Sequence, residues 1–241
     1  MTAELLGRRI LGGVTFVDAT TGLPVSRRLD VSAPGVRWIR NRSGDYAVAD
    51  APGLAAHTTE FIAPPAAPPL GTAAATVTVR DPLGVYLPRR ATIPLPRDPD
   101  PTHADQGGSL FRPVRVPLYP APIAATAPGW CVVRVTVLGA APGTRLPGAL
   151  LRVVQDGTAR ILARGMADDR GESLVAVPGI PVTTFGAGGG PVLATQVAAH
   201  VQVFPPAAPP TVGDPDQLET QPVLKSAPVQ LASGRSLSMS L

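Results

Sequence analysis

Cysteine, lysine, histidine and aromatic residues are all scarce in this chain of 241 residues. The single cysteine, Cys131, rules out an intramolecular disulfide and a cysteine-built zinc cluster. Its place between Trp130 and Val132 in an apolar run suits a small buried hydrophobe. Three scattered histidines leave no visible acid–base pair, and no Gly-x-Ser-x-Gly elbow occurs. No uninterrupted apolar stretch approaches the ~20 residues of a spanning helix, so no membrane insertion is expected. The opening run Met1-Thr2-Ala3-Glu4-Leu5-Leu6-Gly7-Arg8-Arg9 puts acid ahead of base and lacks the apolar segment of a secretory signal. The expectation is a chain without a signal peptide that assembles in the cytoplasm, with release as part of an extracellular particle as an extension.

What is abundant is proline and glycine, 30 and 25 residues. Both end helices and mark turns, so this density favours short strands joined by many turns and predicts almost no helix. Valine, leucine and isoleucine runs between the turn clusters argue against disorder. Of 21 basic residues only Lys225 is a lysine, and the formal net charge is +4. Residues 1–125 carry 13 basic and 10 acidic groups, and residues 126–241 carry 8 and 7. Basic pairs such as Arg8-Arg9, Arg27-Arg28 and Arg89-Arg90 are interleaved with acids, unlike a nucleic-acid footprint, so no nucleic-acid partner is expected.

A turn-and-strand motif occurs twice. The first copy runs through Thr21-Gly22-Leu23-Pro24-Val25, then Asn41-Arg42-Ser43-Gly44-Asp45-Tyr46, then Pro52-Gly53-Leu54. The second runs through Arg145-Leu146-Pro147-Gly148-Ala149, then Asp169-Arg170-Gly171-Glu172-Ser173, then Pro178-Gly179-Ile180. Two similar β modules in tandem follow from that repeat. The spacing predicts strands at residues 8–17, around Leu29, Val31, Trp38 and Tyr46, and at 59–62, 72–80 and 111–119. In the second module strands are expected at 130–138, 149–154, 159–163, 173–177 and 192–204, with two short ones at 228–231 and 236–241. The run Ala63-Pro64-Pro65-Ala66-Ala67-Pro68-Pro69 predicts a stiff, exposed polyproline-like connector. The domain division is 1–122, a linker at 123–129, 130–204, and a Pro-rich loop with a β tail at 205–241.

Both copies resemble the carboxypeptidase regulatory-like, or transthyretin-like, β-sandwich family. The turn before Pro147-Gly148-Ala149 and the hairpin Asp168-Asp169-Arg170-Gly171-Glu172 carry the closer likeness, whereas Val25-Ser26 departs from it in the first copy. The resemblance implies an all-β chain of two tandem Ig-like/transthyretin-like β-sandwich domains with Pro-rich connectors, about seven strands each, and no particular ligand. Some relatives carry an internal Lys-to-Asn/Asp isopeptide bond. With Lys225 alone, and that in the tail, neither module is expected to form one by itself.

Candidate chemical residues are few. His57-Thr58-Thr59-Glu60 spells His-x-x-Glu, but on a strand its ends point to opposite faces, which favours coincidence. Asp98, Asp100, His103 and Asp105 could hold a hard cation, and Asp214, Asp216 and Glu219 form a weaker version; a solvated loop is the favoured reading of both. Gly186-Ala187-Gly188-Gly189-Gly190 lacks the Lys-Ser/Thr of a phosphate loop and suits a hairpin tip. No residue is singled out as catalytic, cofactor-binding or metal-ligating, and no cofactor is implied.

The expected role is that of a non-catalytic structural subunit of a phage-tail-like, contractile-injection particle, a reading to which an overall resemblance to uncharacterised proteins of such gene clusters contributes. Its partners would be other protein subunits in a homo- or hetero-oligomer. The segment 63–69 and everything from Pro205 onward would act as arms that dock on neighbours. An exported adhesin or glycan-binding module, and an enzyme with an unrecognised site, remain the alternatives.

Overall fold

The computed structural model describes residues 9–59, 64–182, 196–207 and 212–241. In chain order it contains strands β1 (Gly12–Asp18), β2 (Asp30–Ser32), β3 (Arg37–Arg40) and β4 (Tyr46–Asp50), then a helical turn α1 (Ala55–Thr59). Strands β5 (Ala73–Arg80), β6 (Arg89–Leu95) and β7 (Val114–Leu118) follow, with a 3-10 turn at Pro101–His103. The remainder comprises β8 (Cys131–Thr136), β9 (Leu150–Gln155), β10 (Ile161–Met166), β11 (Glu172–Val177), β12 (Val197–Phe204), the short α2 (Pro215–Leu218), β13 (Lys225–Leu231) and β14 (Ser236–Ser240). The all-β expectation holds, because the helical elements are single turns.

Two compact units divide the chain. Unit 1 takes Met1–Val17, Leu23–Pro82 and Arg90–Pro117; unit 2 takes Asp18–Gly22, Leu83–Arg89 and Leu118–Leu241. Residues 120–129 fall inside unit 2.

Unit 1 contains a four-stranded sheet in the order β3-β4-β1-β7 and a three-stranded sheet β2-β5-β6. Unit 2 contains a four-stranded sheet β10-β9-β12-β13 and a three-stranded sheet β11-β8-β14. Numbering the seven strands of each unit from its first, both place the fourth beside the first beside the seventh, and the second beside the fifth beside the sixth. They differ in the third strand. In unit 1 it pairs with the fourth. In unit 2 it pairs with the second, and Ala167, just after it, bridges Ser173 of the fourth.

Each core is built by alternation. In β6 the buried residues are Arg89, Ala91, Ile93 and Leu95, every second position, because successive side chains of a strand face opposite ways. The unit 2 core brings Val133 and Val135 from one sheet against Leu151, Val153, Ala199, Val201 and Val203 from the other. Each fully buried aliphatic side chain contributes about 1.5–3 kcal/mol, whereas an exposed ion pair contributes about 0–1 kcal/mol. Burial therefore dominates the stability of the sandwich.

Several expectations need correction. Residues 55–59 form a helical turn and not a strand, because Leu54, His57 and Thr58 are buried at helical spacing and Thr58 Oγ1 donates to the Ala55 carbonyl at 2.7 Å. The rest of the strand expected at 59–62 lies outside the described residues. Strand β7 begins at Val114, with Phe111 in the preceding turn and 56 % exposed. Strand β6 was not anticipated, since Arg89 opens it and Pro94 interrupts it. The connector bends at residues 66–68 instead of running straight, and the Pro68 carbonyl accepts a hydrogen bond from His57 Nε2 at 3.0 Å.

The largest correction concerns the tail. It does not reach out as an arm: β13 pairs antiparallel with β12 along its whole length, from Val197–Leu231 to Val203–Lys225. Strand β14 adds in parallel to β8. Leu231 is fully buried, and Leu237 and Met239 pack on the core. The apolar content that suggested docking elsewhere is used in cis.

Candidate functional site

The anticipated chemical residues are placed in structural roles. His57 is 5 % exposed and engaged with Pro68, while Glu60 lies outside the described residues. In the 98–109 loop, Asp98 accepts from the Asp100 amide at 2.9 Å and pairs with His103 Nδ1 at 2.7 Å. The hydrogen bond that His103 donates to Asp98 raises the His103 pKa from its ordinary value. Asp100 caps the 3-10 turn through the Thr102 amide and hydroxyl. Those two bonds hold its carboxyl below the usual range. Beneath them Arg97 donates to the carbonyls of Gly107, Ser109 and Arg112, so the loop is folded around one buried guanidinium. Among the described residues no three His, Cys, Asp or Glu side chains come together as a metal-binding group, and no helix is long and apolar enough to cross a membrane. The glycine run 186–190 lies outside the described residues. Cys131 is buried, and desolvation pushes its thiol pKa up. Lys225 Nζ donates to the Leu138 carbonyl at 2.8 Å.

Asp214, Asp216 and Glu219 belong to a polar network that the sequence does not advertise. Arg89 is fully buried; its Nη2 lies 3.0 Å from Asp216 Oδ2 and 3.4 Å from Asp214 Oδ1, and its guanidinium lies 6.0 Å from the Tyr119 ring centre. Burial pushes the Tyr119 hydroxyl up to about 12. Arg152 stacks 4.8 Å over Phe204 and donates to Gln202 Oε1 at 3.0 and 2.8 Å and to Glu219 at 3.1 Å. Arg164 completes the Glu219 site with bonds of 3.0 Å to both carboxylate oxygens. A single turn such as α2 has little stability of its own, so these pairs fasten it to the sheet. The signal available in the sequence was the alternation that runs back from Leu95 through Ile93 and Ala91 to Arg89.

Candidates for recognition among the described residues include two concavities and one edge. A cavity of about 360 Å³ in unit 2 is lined by Leu87, Pro88, Pro147, Met166, Asp168 and Asp169 among others. Asp168 is committed to the Arg170 and Glu172 amides at 2.9 and 2.8 Å. A groove of about 510 Å³ in unit 1 lies along β2 and β3. The edge is that of β14. Arg235 O accepts from Val132 N, and Leu241 N donates to Thr136 O. Alternate residues of a parallel pair bond to the same neighbour. Residues 235, 237, 239 and 241 thus face β8, and the main-chain groups of Ser236, Ser238 and Ser240 face outward.

No family model matches the chain, and no curated protein matches it. Among solved structures it is similar to the TIE protein of Bacillus anthracis (9% identity, TM-score 0.29), covering 97% of this chain and 34% of that one. It is also similar to GBS52, the minor pilin of Streptococcus agalactiae (6% identity, TM-score 0.28, covering 95% and 94% of the two chains). A third is BcpA, the major pilin subunit of Bacillus cereus (10% identity, TM-score 0.27, covering 98% and 55%). This chain spans about a third of the TIE protein's length. At these TM-scores the likenesses assign neither family nor function.

Proposed function

We propose that this protein is a non-catalytic structural subunit of a cytoplasmically assembled, phage-tail-like particle, and that its β-sandwich units act by binding other subunits. The observation that carries this reading is the outer edge of β14. A complete sandwich presents three outward main-chain positions, at Ser236, Ser238 and Ser240, to solvent, which is a template for strand addition. The repeated strand order of the two units, together with the turns at Gly44 and Gly171, supports a tandem pair of transthyretin-like modules. The ionic clusters support a non-catalytic role, since their charged groups are occupied in fastening turns and α2. The tail contributes to the proposed contacts as a sheet edge and not as a free arm.

The test is the mass of the native species in a cytoplasmic extract, measured by size exclusion with light scattering. A large particle is expected. Ser238→Pro removes one outward donor without touching the β8 ladder, so the variant should remain folded and run as a free chain. A wild-type chain that is monomeric in the extract overturns the assembly reading, and glycan binding by that monomer would favour the adhesin alternative.

A further inference from the structure

In unit 2 the second and third strands, β9 and β10, form a ladder from Val154–Ile161 to Leu150–Met166. In unit 1 the corresponding strands, β2 and β3, belong to different sheets. Where one unit is laced shut, the other has a seam.

The groove of about 510 Å³ follows that seam and is lined by Arg28, Leu29, Asp30, Trp38, Arg40 and Tyr46 among others. Its β3 side is a strand edge. Asn41 N donates to Asp45 O at 2.9 Å, which makes 41 and 45 a bonded pair. In an antiparallel ladder bonded and non-bonded pairs alternate, and the register pairs Trp38 with Val48, Ile39 with Ala47 and Arg40 with Tyr46. The main-chain N–H and C=O of Trp38 and Arg40 therefore point away from β4. Trp38 Nε1 is itself buried with no hydrogen-bond partner.

The charge of the seam selects among occupants. Between residues 28 and 42 stand Arg28, Arg37, Arg40 and Arg42 against Asp30 alone. None of these four arginines has an ion pair among the described residues, whereas Arg27, Arg89, Arg145, Arg152, Arg164 and Arg170 each have a carboxylate partner. Arg40 donates to the Ser26 carbonyl and lies 6.0 Å from the Tyr46 ring centre.

We propose that this seam receives an extended, acidic segment of a partner protein, which adds to β3 through the main chain of Trp38 and Arg40 while its carboxylates pair with Arg28 and Arg40. The proposal deepens the assembly reading and rests on it for the partner's being a subunit. Two ladder positions favour a strand over a polyanion of other backbone, and the unpaired arginines favour acidic side chains over neutral ones.

The experiment uses the purified full-length chain and a fluorescent peptide of about eight residues alternating glutamate with valine. Saturable binding that weakens with rising salt is expected. Arg28→Glu, at an exposed residue without an ion pair among the described residues, should weaken binding by about tenfold or more, and it keeps the test alive if Arg40→Glu fails to fold. Methylating alternate amides of the peptide should weaken it comparably, because a ladder needs the N–H groups. No saturable binding up to about 1 mM, equal binding of the methylated peptide, no effect of Arg28→Glu, or equal binding of single-stranded oligothymidylate would each overturn the proposal. A chain that assembles in extract yet ignores the peptide removes the seam alone, whereas peptide binding by a chain that stays monomeric in extract removes the assembly reading alone.

Discussion

Tyr46 Oη accepts a hydrogen bond from Leu29 N–H at 2.8 Å and donates one to the Leu29 carbonyl at 3.0 Å. One phenol thus satisfies both main-chain groups of a residue just before β2. Tyr46 is 5 % exposed and its ring meets Phe16 edge-on at 5.4 Å. Tyr46→Phe keeps the ring packing and removes only the hydroxyl, leaving a buried donor and acceptor unmatched. The expected loss is about 1–3 kcal/mol, read as a lower urea midpoint, and an unchanged midpoint would contradict it.

Gly171 adopts φ +71°, and a Cβ there would stand 2.8 Å from Arg145 Cβ and 3.1 Å from the Val137 carbonyl oxygen. Gly171→Val meets both a left-handed backbone and a blocked space. Destabilisation of unit 2 by about 2 kcal/mol or more is expected. A melting transition equal to that of the wild type would mean that the turn rearranges at no cost.

Burial acts to raise the Glu219 pKa, but hydrogen bonds from Arg164 and Arg152 outweigh it and hold the carboxyl below its ordinary value. A depressed folded-state pKa adds stability above the unfolded value, and that stability is lost as pH falls through the folded one. The wild type should therefore lose stability relative to Glu219→Gln on acidification below about pH 4.5, and be the more stable of the two near neutrality. Urea midpoints for both proteins across that range are the check; a constant difference between them would exclude this linkage.

Removing residues 232–241 strips β14 from β8 and uncovers one side of Val133 and Val135, which are 0 % and 2 % exposed in the intact chain. Unit 2 should lose cooperative unfolding while unit 1 keeps its own. Calorimetry of the truncated chain that still shows both transitions would mean that β14 is a dispensable addition to the sheet.

The turns and the β character were legible in the sequence because they are local. Gly44, Gly53, Gly171 and Gly179 all adopt positive φ, which glycine tolerates and other residues resist. Alternating valines in β5 and β8 marked strands and their buried faces without reference to any other part of the chain. Even the tail's two short strands could be anticipated from Val229, Leu231, Leu237 and Met239.

Partnership was decided only in three dimensions. A period of two says which side chains face a core and is silent on which strand lies alongside, because pairing depends on residues distant in sequence. Hence β13 and β14 read equally well as an arm or as the sixth and seventh strands. For the same reason, nothing local distinguished β3, which joins β4, from β10, which joins β9. Arg89 shows the limit most plainly. An arginine is ordinarily a surface residue, and its burial depends on Asp214, Asp216 and Tyr119, which lie up to 127 positions away in the chain. Local sequence determined most of the strands and turns; long-range packing decided which edges were closed and which were left open.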